Sequence, residues 1–145
     1  QGDWSSDVCS SDLKLIPTVI NSLMNKSKIP VYGNGLNVRD WLYVEDHVEA
    51  IDIIFHKGTA GETYCIGGKN EIKNIDLIKL IIKEFDYIKQ NKNSSFDLIS
   101  FVDDRLGHDY RYAIDISKIK NELGWEPKTS IDSGLKKTLK WYLND

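Results

Sequence analysis

Asn37-Val38-Arg39-Asp40-Trp41-Leu42-Tyr43-Val44-Glu45-Asp46-His47 is where this chain changes its period. Up to Tyr43 the stretch reads as extended. From Val44 to about His56 the apolar residues Val48, Ile51, Ile54 and Phe55 recur at helical spacing and predict a core-facing stripe. Glu45 and Asp46 fall where the positive end of a helix dipole favours acids. Gly58 and Gly61 then stop the helix. A strand that runs straight into an amphipathic helix points to an α/β protein.

Reading outward keeps that class. Towards the N-terminus, Ile29-Pro30-Val31-Tyr32 reads as a short strand and Gly33-Asn34-Gly35 as a tight turn. The turn predicts a hairpin with the Asn37–Tyr43 stretch, Tyr32 and Arg39 lying near its open side. Before it, Pro17 suits the first turn of a helix with Val19, Ile20, Leu23 and Met24 inward. Towards the C-terminus, Glu62 to Ile66 reads as a buried strand closed by Gly67-Gly68. Asn74 is placed to cap a helix lined by Ile75, Ile78, Ile81, Ile82 and Phe85. Strands are expected at Leu98–Val102 and Arg111–Ile114. Asp115 caps a helix ended by Gly124, and Thr129 or Ser130 caps the last one, with Ile131, Leu135, Leu139 and Tyr142 inward.

Composition narrows the function. At 145 residues, 41% hydrophobic and 28% charged, the chain suits one globular domain. A net charge of −3 gives no basic footprint for nucleic acid, and no apolar run approaches a membrane span. Cys9 and Cys65 form no metal or disulfide pattern, which suits a reducing cytoplasm. Positive charge is carried almost wholly by lysine; the arginines are Arg39, Arg105 and Arg111. Arginine grips carboxylate or phosphate with a planar fork, whereas lysine is a point charge. With Tyr32 and His108 beside them, the arginines point to a phosphate-bearing ligand. The competing reading braces them on carboxylates, Arg39 on Asp40 and Arg105 on Asp103 or Asp104.

Residues 1–13 have no periodicity and no turn logic. Asp3-Trp4-Ser5-Ser6-Asp7-Val8-Cys9-Ser10-Ser11-Asp12-Leu13 resembles the translation of a common sequencing adapter. It is therefore expected to be foreign to the fold, with a disordered tail as the alternative. Residues 14–145 are expected to form the functional part.

Arg39-Asp40-Trp41-Leu42-Tyr43-Val44-Glu45-Asp46-His47, Gly61-Glu62-Thr63-Tyr64-Cys65-Ile66-Gly67-Gly68 and Asp104-Arg105-Leu106-Gly107-His108-Asp109 resemble segments of the dTDP-glucose 4,6-dehydratases. So do Tyr112-Ala113-Ile114-Asp115, Glu122-Leu123-Gly124-Trp125-Glu126-Pro127 and Trp141-Tyr142, in the same order. The resemblance implies an extended short-chain dehydrogenase, with a Rossmann NAD-binding half and a smaller substrate-binding part. It implies NAD-dependent oxidation of a dTDP-sugar, loss of water and reduction, in a homodimer. This chain resembles the C-terminal, substrate-binding part alone. A Gly-x-x-Gly-x-x-Gly turn after a strand, a Thr-Asp-Glu run and a Tyr-x-x-x-Lys pair do not occur in the required context. Tyr87-Ile88-Lys89 has the wrong spacing. The chain is thus expected to carry no catalytic residues, to bind no metal, and to bind NAD poorly.

By the same resemblance, Arg39 and Arg105 face the diphosphate, Pro30, Val31 and Tyr32 form the slot for the base, and His108 contacts substrate. Lys14, Leu15, Ile16 and Pro17 contact the nucleotide through the backbone, and Asp104 and Cys65 complete the site. Cys65 stands where the family usually has Asn and lacks its amide, so a small buried hydrophobe is its competing role. Leu106 replaces a usual Pro. The alternatives are a 4-epimerase or another sugar-nucleotide dehydratase, or a non-catalytic nucleotide-binding module.

Overall fold

The computed structural model describes residues 14–104 and 106–144. The expectations that residues 1–13 are foreign and that Arg105 faces a diphosphate lie outside the described residues. The elements run α1 (Leu15–Met24), β1 (Ile29–Tyr32), β2 (Val38–Asp40), α2 (Val44–Lys57), β3 (Glu71–Lys73), α3 (Asn74–Lys89), β4 (Ile99–Val102), β5 (Arg111–Tyr112), α4 (Ser117–Leu123) and α5 (Ile131–Leu143). A short 3-10 turn, Ser95–Leu98, precedes β4.

The α/β class holds, in an arrangement of two small sheets. β1 pairs in parallel with β4, Ile29 opposite Ile99 and Tyr32 opposite Val102. β2 is the middle strand of the other sheet, antiparallel to β3 and parallel to β5. The expected hairpin between β1 and β2 therefore does not form. The turn itself does, closed by Gly35 N–H on the Tyr32 carbonyl at 3.1 Å. Beyond it the chain is drawn to α3 instead. The Gly35 and Asn37 carbonyls accept from Ile75 N–H and Asn74 N–H, both at 2.9 Å. Gly35 has φ +70°, and a Cβ there would sit 2.9 Å from Ile75 Cβ, so only glycine lets the turn seat this closely.

α3 is the axis of the main core. Ile75, Ile78, Ile81, Ile82 and Phe85 are buried as their spacing predicts, joined by Leu77. They pack with Val19, Ile20 and Leu23 of α1, Ile29 and Val31 of β1, and Leu135 and Leu139 of α5. Met24 instead faces solvent, as does Trp141 at 73% exposure. A smaller cluster gathers Ala50, Ile116, Ile119 and Trp125. Ser130 caps α5 through Ser133 N–H, and Asp115 Oδ1 accepts from Ser117 N–H ahead of α4. Asn74 does not cap α3 with its side chain.

The apolar stripe of α2 also departs from expectation. Val48, Ile51 and Phe55 are exposed, Phe55 at 83%. The buried face is Asp46 and Ala50, with Ile53 and Ile54 partly covered. These positions also recur at helical spacing, and a buried carboxylate selects between the two faces. Asp46 accepts from Lys128 N–H at 3.2 Å, Thr129 N–H at 2.8 Å and Thr129 Oγ1 at 3.0 Å. Its side chain turns α2 so that this end faces the loop before α5.

Glu62 to Ile66, expected as a strand, belongs to neither sheet; the short β3 follows it instead. Tyr64 and Ile66 pack, half-buried, against the smaller cluster, whereas Cys65 between them is exposed rather than a buried hydrophobe.

Removing the Asp46 carboxylate strands two backbone donors. Asp46→Ala should destabilise the chain by about 2 kcal/mol or more. Urea unfolding beside the exposed control Asp132→Ala checks this; equal losses would contradict it.

Candidate functional site

Strand alternation places Arg39 and Trp41 on one side of the chain and Asp40 on the other. Asp40 turns towards the Gly67-Gly68 loop. Its Oδ2 accepts from Gly68 N–H at 2.9 Å and its Oδ1 from Asn70 N–H at 2.8 Å. The fit is tight: a Cβ on Gly68 would lie 1.9 Å from the Trp41 carbonyl oxygen. Asp40 is thus committed to backbone amides, and Arg39 does not pair with it. Arg39 instead donates Nη1–H to the Val38 carbonyl at 2.7 Å and Nη2–H to the Asp109 carbonyl at 2.9 Å. Neutral carbonyls orient the guanidinium without cancelling its charge. Arg111 is the contrasting case. It grips Glu71 with Nε at 2.7 Å and Nη2 at 2.9 Å, across the β3-β2-β5 sheet. Hydrogen bonding to Arg111 holds the Glu71 carboxyl below its usual range, which matches a structural role for this arginine.

Arg39 opens onto a cavity of about 640 Å³. Lys14, Leu15, Ile16 and Pro17 enter its wall from the start of α1, and Pro30, Val31 and Tyr32 from β1. His108 enters from the connection between β4 and β5. Two strands in different sheets therefore bring Tyr32 and Arg39 together without the hairpin. No Asp or Glu lines the cavity among the described residues, whereas Lys14, Arg39 and His108 all do. Among the described residues the α1 N-terminus has no side-chain cap and no acid in its first turn. Free N–H groups at a helix start favour an anion. The wall is therefore electropositive on one side and apolar on the other.

Cys65 and Asp104 do not line the cavity. Asp104 instead contacts His108, its Oδ1 2.6 Å from Nδ1, and the His108 side chain is only 5% exposed. Two residues that the sequence reading passed over do line it, Trp41 and Asn74. Trp41 Nε1 and Asn74 Oδ1 are buried with no hydrogen-bond partner. Such a group costs about 1–3 kcal/mol when left unmet. Trp125 Nε1 is also unmet, but it belongs to the smaller core cluster. Asn74 was masked by its apparent capping position. Trp41 was legible, since it stands two residues from Arg39 on the same side of an extended segment.

A second depression, about 740 Å³, lies near the C-terminal ends of α1, α3 and α5. It holds Lys26, Lys89 and Lys92, but none of the residues brought together above. Helix C-termini carry the negative end of the dipole, so this site is the poorer host for a phosphate. No cluster of metal-ligating side chains occurs among the described residues.

Comparison with known proteins assigns the chain to a family. A family model described as GDP-mannose 4,6 dehydratase matches residues 10–138. The chain belongs to that family. The match includes the last residues of the prefix read as foreign. A dTDP-glucose 4,6-dehydratase from Escherichia coli is 50% identical over 136 residues, covering 91% of this chain and 38% of the relative. The crystal structure of the Bacillus anthracis dTDP-glucose 4,6-dehydratase, in complex with NAD, superposes with a TM-score of 0.81 at 44% identity, over 92% of this chain and 40% of that one. The Streptomyces venezuelae enzyme, solved with NAD and a dTDP ligand bound, gives 0.83 at 36% identity, over 92% and 39%. The chain therefore spans about two fifths of the length of the family members it matches.

An unmet acceptor in the cavity wall has a measurable signature. Asn74→Ala should leave the unfolding free energy unchanged or raise it, because no protein hydrogen bond is lost. Chemical denaturation tests this, and a loss of about 1 kcal/mol or more would mean that the amide is paired in solution.

Proposed function

We propose that this chain is the nucleotide-sugar-binding part of a dTDP-glucose 4,6-dehydratase. The observation that carries the proposal is one cavity with an oriented arginine, a buried histidine, an uncapped helix start, and no carboxylate in its wall among the described residues. Arg39 and Lys14 supply charge for the diphosphate. Leu15 and Ile16 offer backbone donors at the same end. Tyr32 offers an aromatic face beside Pro30 and Val31, which suits a planar base. Trp41 Nε1–H and Asn74 Oδ1 add a donor and an acceptor of the kind that base edges and sugar hydroxyls complement. Arg105 belongs to the same proposal through its motif. Cys65 is not among the residues that line the cavity.

In the whole protein the reaction would be oxidation of dTDP-glucose by NAD, loss of water, and reduction to the 4-keto-6-deoxy sugar. NAD supplies the hydride chemistry when bound. The described residues do not fit that cofactor. Gly33-Asn34-Gly35 joins β1 to β2 rather than a strand to a helix, so it builds no pyrophosphate turn. What the described residues do is bind and orient the nucleotide. A homodimeric, cytoplasmic enzyme without nucleic-acid or membrane partners completes the proposal. Among the described residues no helix is long and apolar enough to cross a membrane.

Arg39→Lys keeps the charge and loses the planar fork. It should weaken dTDP binding about tenfold or more, measured by calorimetry; unchanged affinity would remove Arg39 from the site. The purified chain, given dTDP-glucose and NAD, should show no turnover. Formation of the 4-keto product by this chain alone would contradict the division of labour proposed.

A further inference from the structure

We propose that Asp104 is a positioning residue: its carboxylate sets the orientation and tautomer of the His108 ring, and His108 rather than Asp104 meets the ligand, through Nε2 as a hydrogen-bond acceptor. The inference rests on the reading of the cavity as a dTDP-sugar site. It departs from the sequence expectation, which gave Asp104 a direct ligand contact.

The geometry separates the two residues. His108 lines the cavity and Asp104 does not. His108 Nδ1 lies 2.6 Å from Asp104 Oδ1, with the imidazole side chain 5% exposed and the carboxylate 44% exposed. An ionised carboxylate only accepts hydrogen bonds, so Nδ1 must carry the proton in this pair. The cavity edge of the ring then presents Nε2. A carboxylate placed against a diphosphate would repel it; one placed behind the imidazole leaves Nε2 as an acceptor for a hydroxyl or N–H of the nucleotide.

Described residues on either side of the pair are anchored to other strands. Asp104 sits on the turn after β1: a Cβ on Gly33 would come within 2.8 Å of Asp104 Oδ2. Gly33 N–H itself bonds the Val102 carbonyl at 2.9 Å. At the far end, the Asp109 carbonyl accepts from both Arg39 Nη2–H at 2.9 Å and Asn37 Nδ2–H at 3.0 Å. His108 thus lies between an anchor on the β1 turn and an anchor on β2, which also fixes it relative to Arg39. Across the cavity the charged groups are Lys14 and Arg39. On its own connection the neighbouring charged side chains are Asp103, Asp104, Arg105 and Asp109.

The test is a nitrogen-15 NMR spectrum of the imidazoles in the labelled chain, recorded with the rings neutral, together with dTDP titrations. His108 should show the Nδ1–H tautomer, and Asp104→Ala or Asp104→Asn should shift it towards Nε2–H. Asp104→Ala and His108→Ala should each weaken dTDP binding about tenfold, and the double variant should be no weaker than His108→Ala alone, since residues acting as one unit are not additive. An unchanged tautomer in folded Asp104→Asn overturns the proposal, as do fully additive losses, which would place Asp104 on the ligand itself. If Arg39→Lys weakens dTDP binding and His108→Ala does not, the inference fails while the site reading stands. If none of these variants alters dTDP binding, the site reading fails, and the ligand contact assigned to His108 fails with it.

Discussion

The carboxylate of Asp40 organises the part of the molecule that matters most. It receives the amides of Gly68 and Asn70 and so ties β2 to the loop that precedes β3. That commitment has two consequences. β3 is delivered antiparallel to β2, Arg39 opposite Ile72. Arg39 and Trp41, on the other side of the same short strand, are turned together into the cavity. Were Asp40 free to pair with Arg39, the fork would be neutralised and the cavity would lose its strongest anion-binding group.

The site is a product of separation in sequence and convergence in space. α1, β1, β2 and the β4–β5 connection each supply a wall. Their meeting depends on the main core, where α3 holds α1 and β1 on one side and receives the turn after β1 through its first two amides. Using those amides on Gly35 and Asn37 rather than on a capping side chain frees the Asn74 amide for the cavity.

Element type was largely legible from periodicity. The inward faces of α3 and α5 follow their apolar spacing residue by residue. Pairing was not legible. Gly33-Asn34-Gly35 has the composition of a hairpin turn, yet the carbonyls that follow it are drawn to α3 and β1 finds β4. α2 carried two helical faces in its sequence, and hydrogen bonds from residues more than eighty positions away chose the one containing Asp46. The Val48, Ile51 and Phe55 face is where local propensity promised burial and the described residues provide no layer, while Glu62–Ile66 joins no sheet and buries only Tyr64 and Ile66, in part. Within the site, resemblance located Lys14–Pro17, Pro30–Tyr32, Arg39 and His108 in one cavity. Cys65 does not line that cavity, and its motif neighbours make contacts within the fold: Tyr64 bonds Glu122, and Gly68 N–H serves Asp40.

The central claim is that this cavity, rather than any other surface, receives a dTDP-sugar. A chemical-shift perturbation map of the nitrogen-15-labelled chain titrated with dTDP tests it most directly. The account predicts saturable shifts centred on residues 14–17, 30–32, 39, 41, 74 and 108, with Cys65 unaffected. Shifts centred instead on Lys26, Lys89 and Lys92 at the helix C-termini, or no saturable shifts in a folded chain, would contradict it.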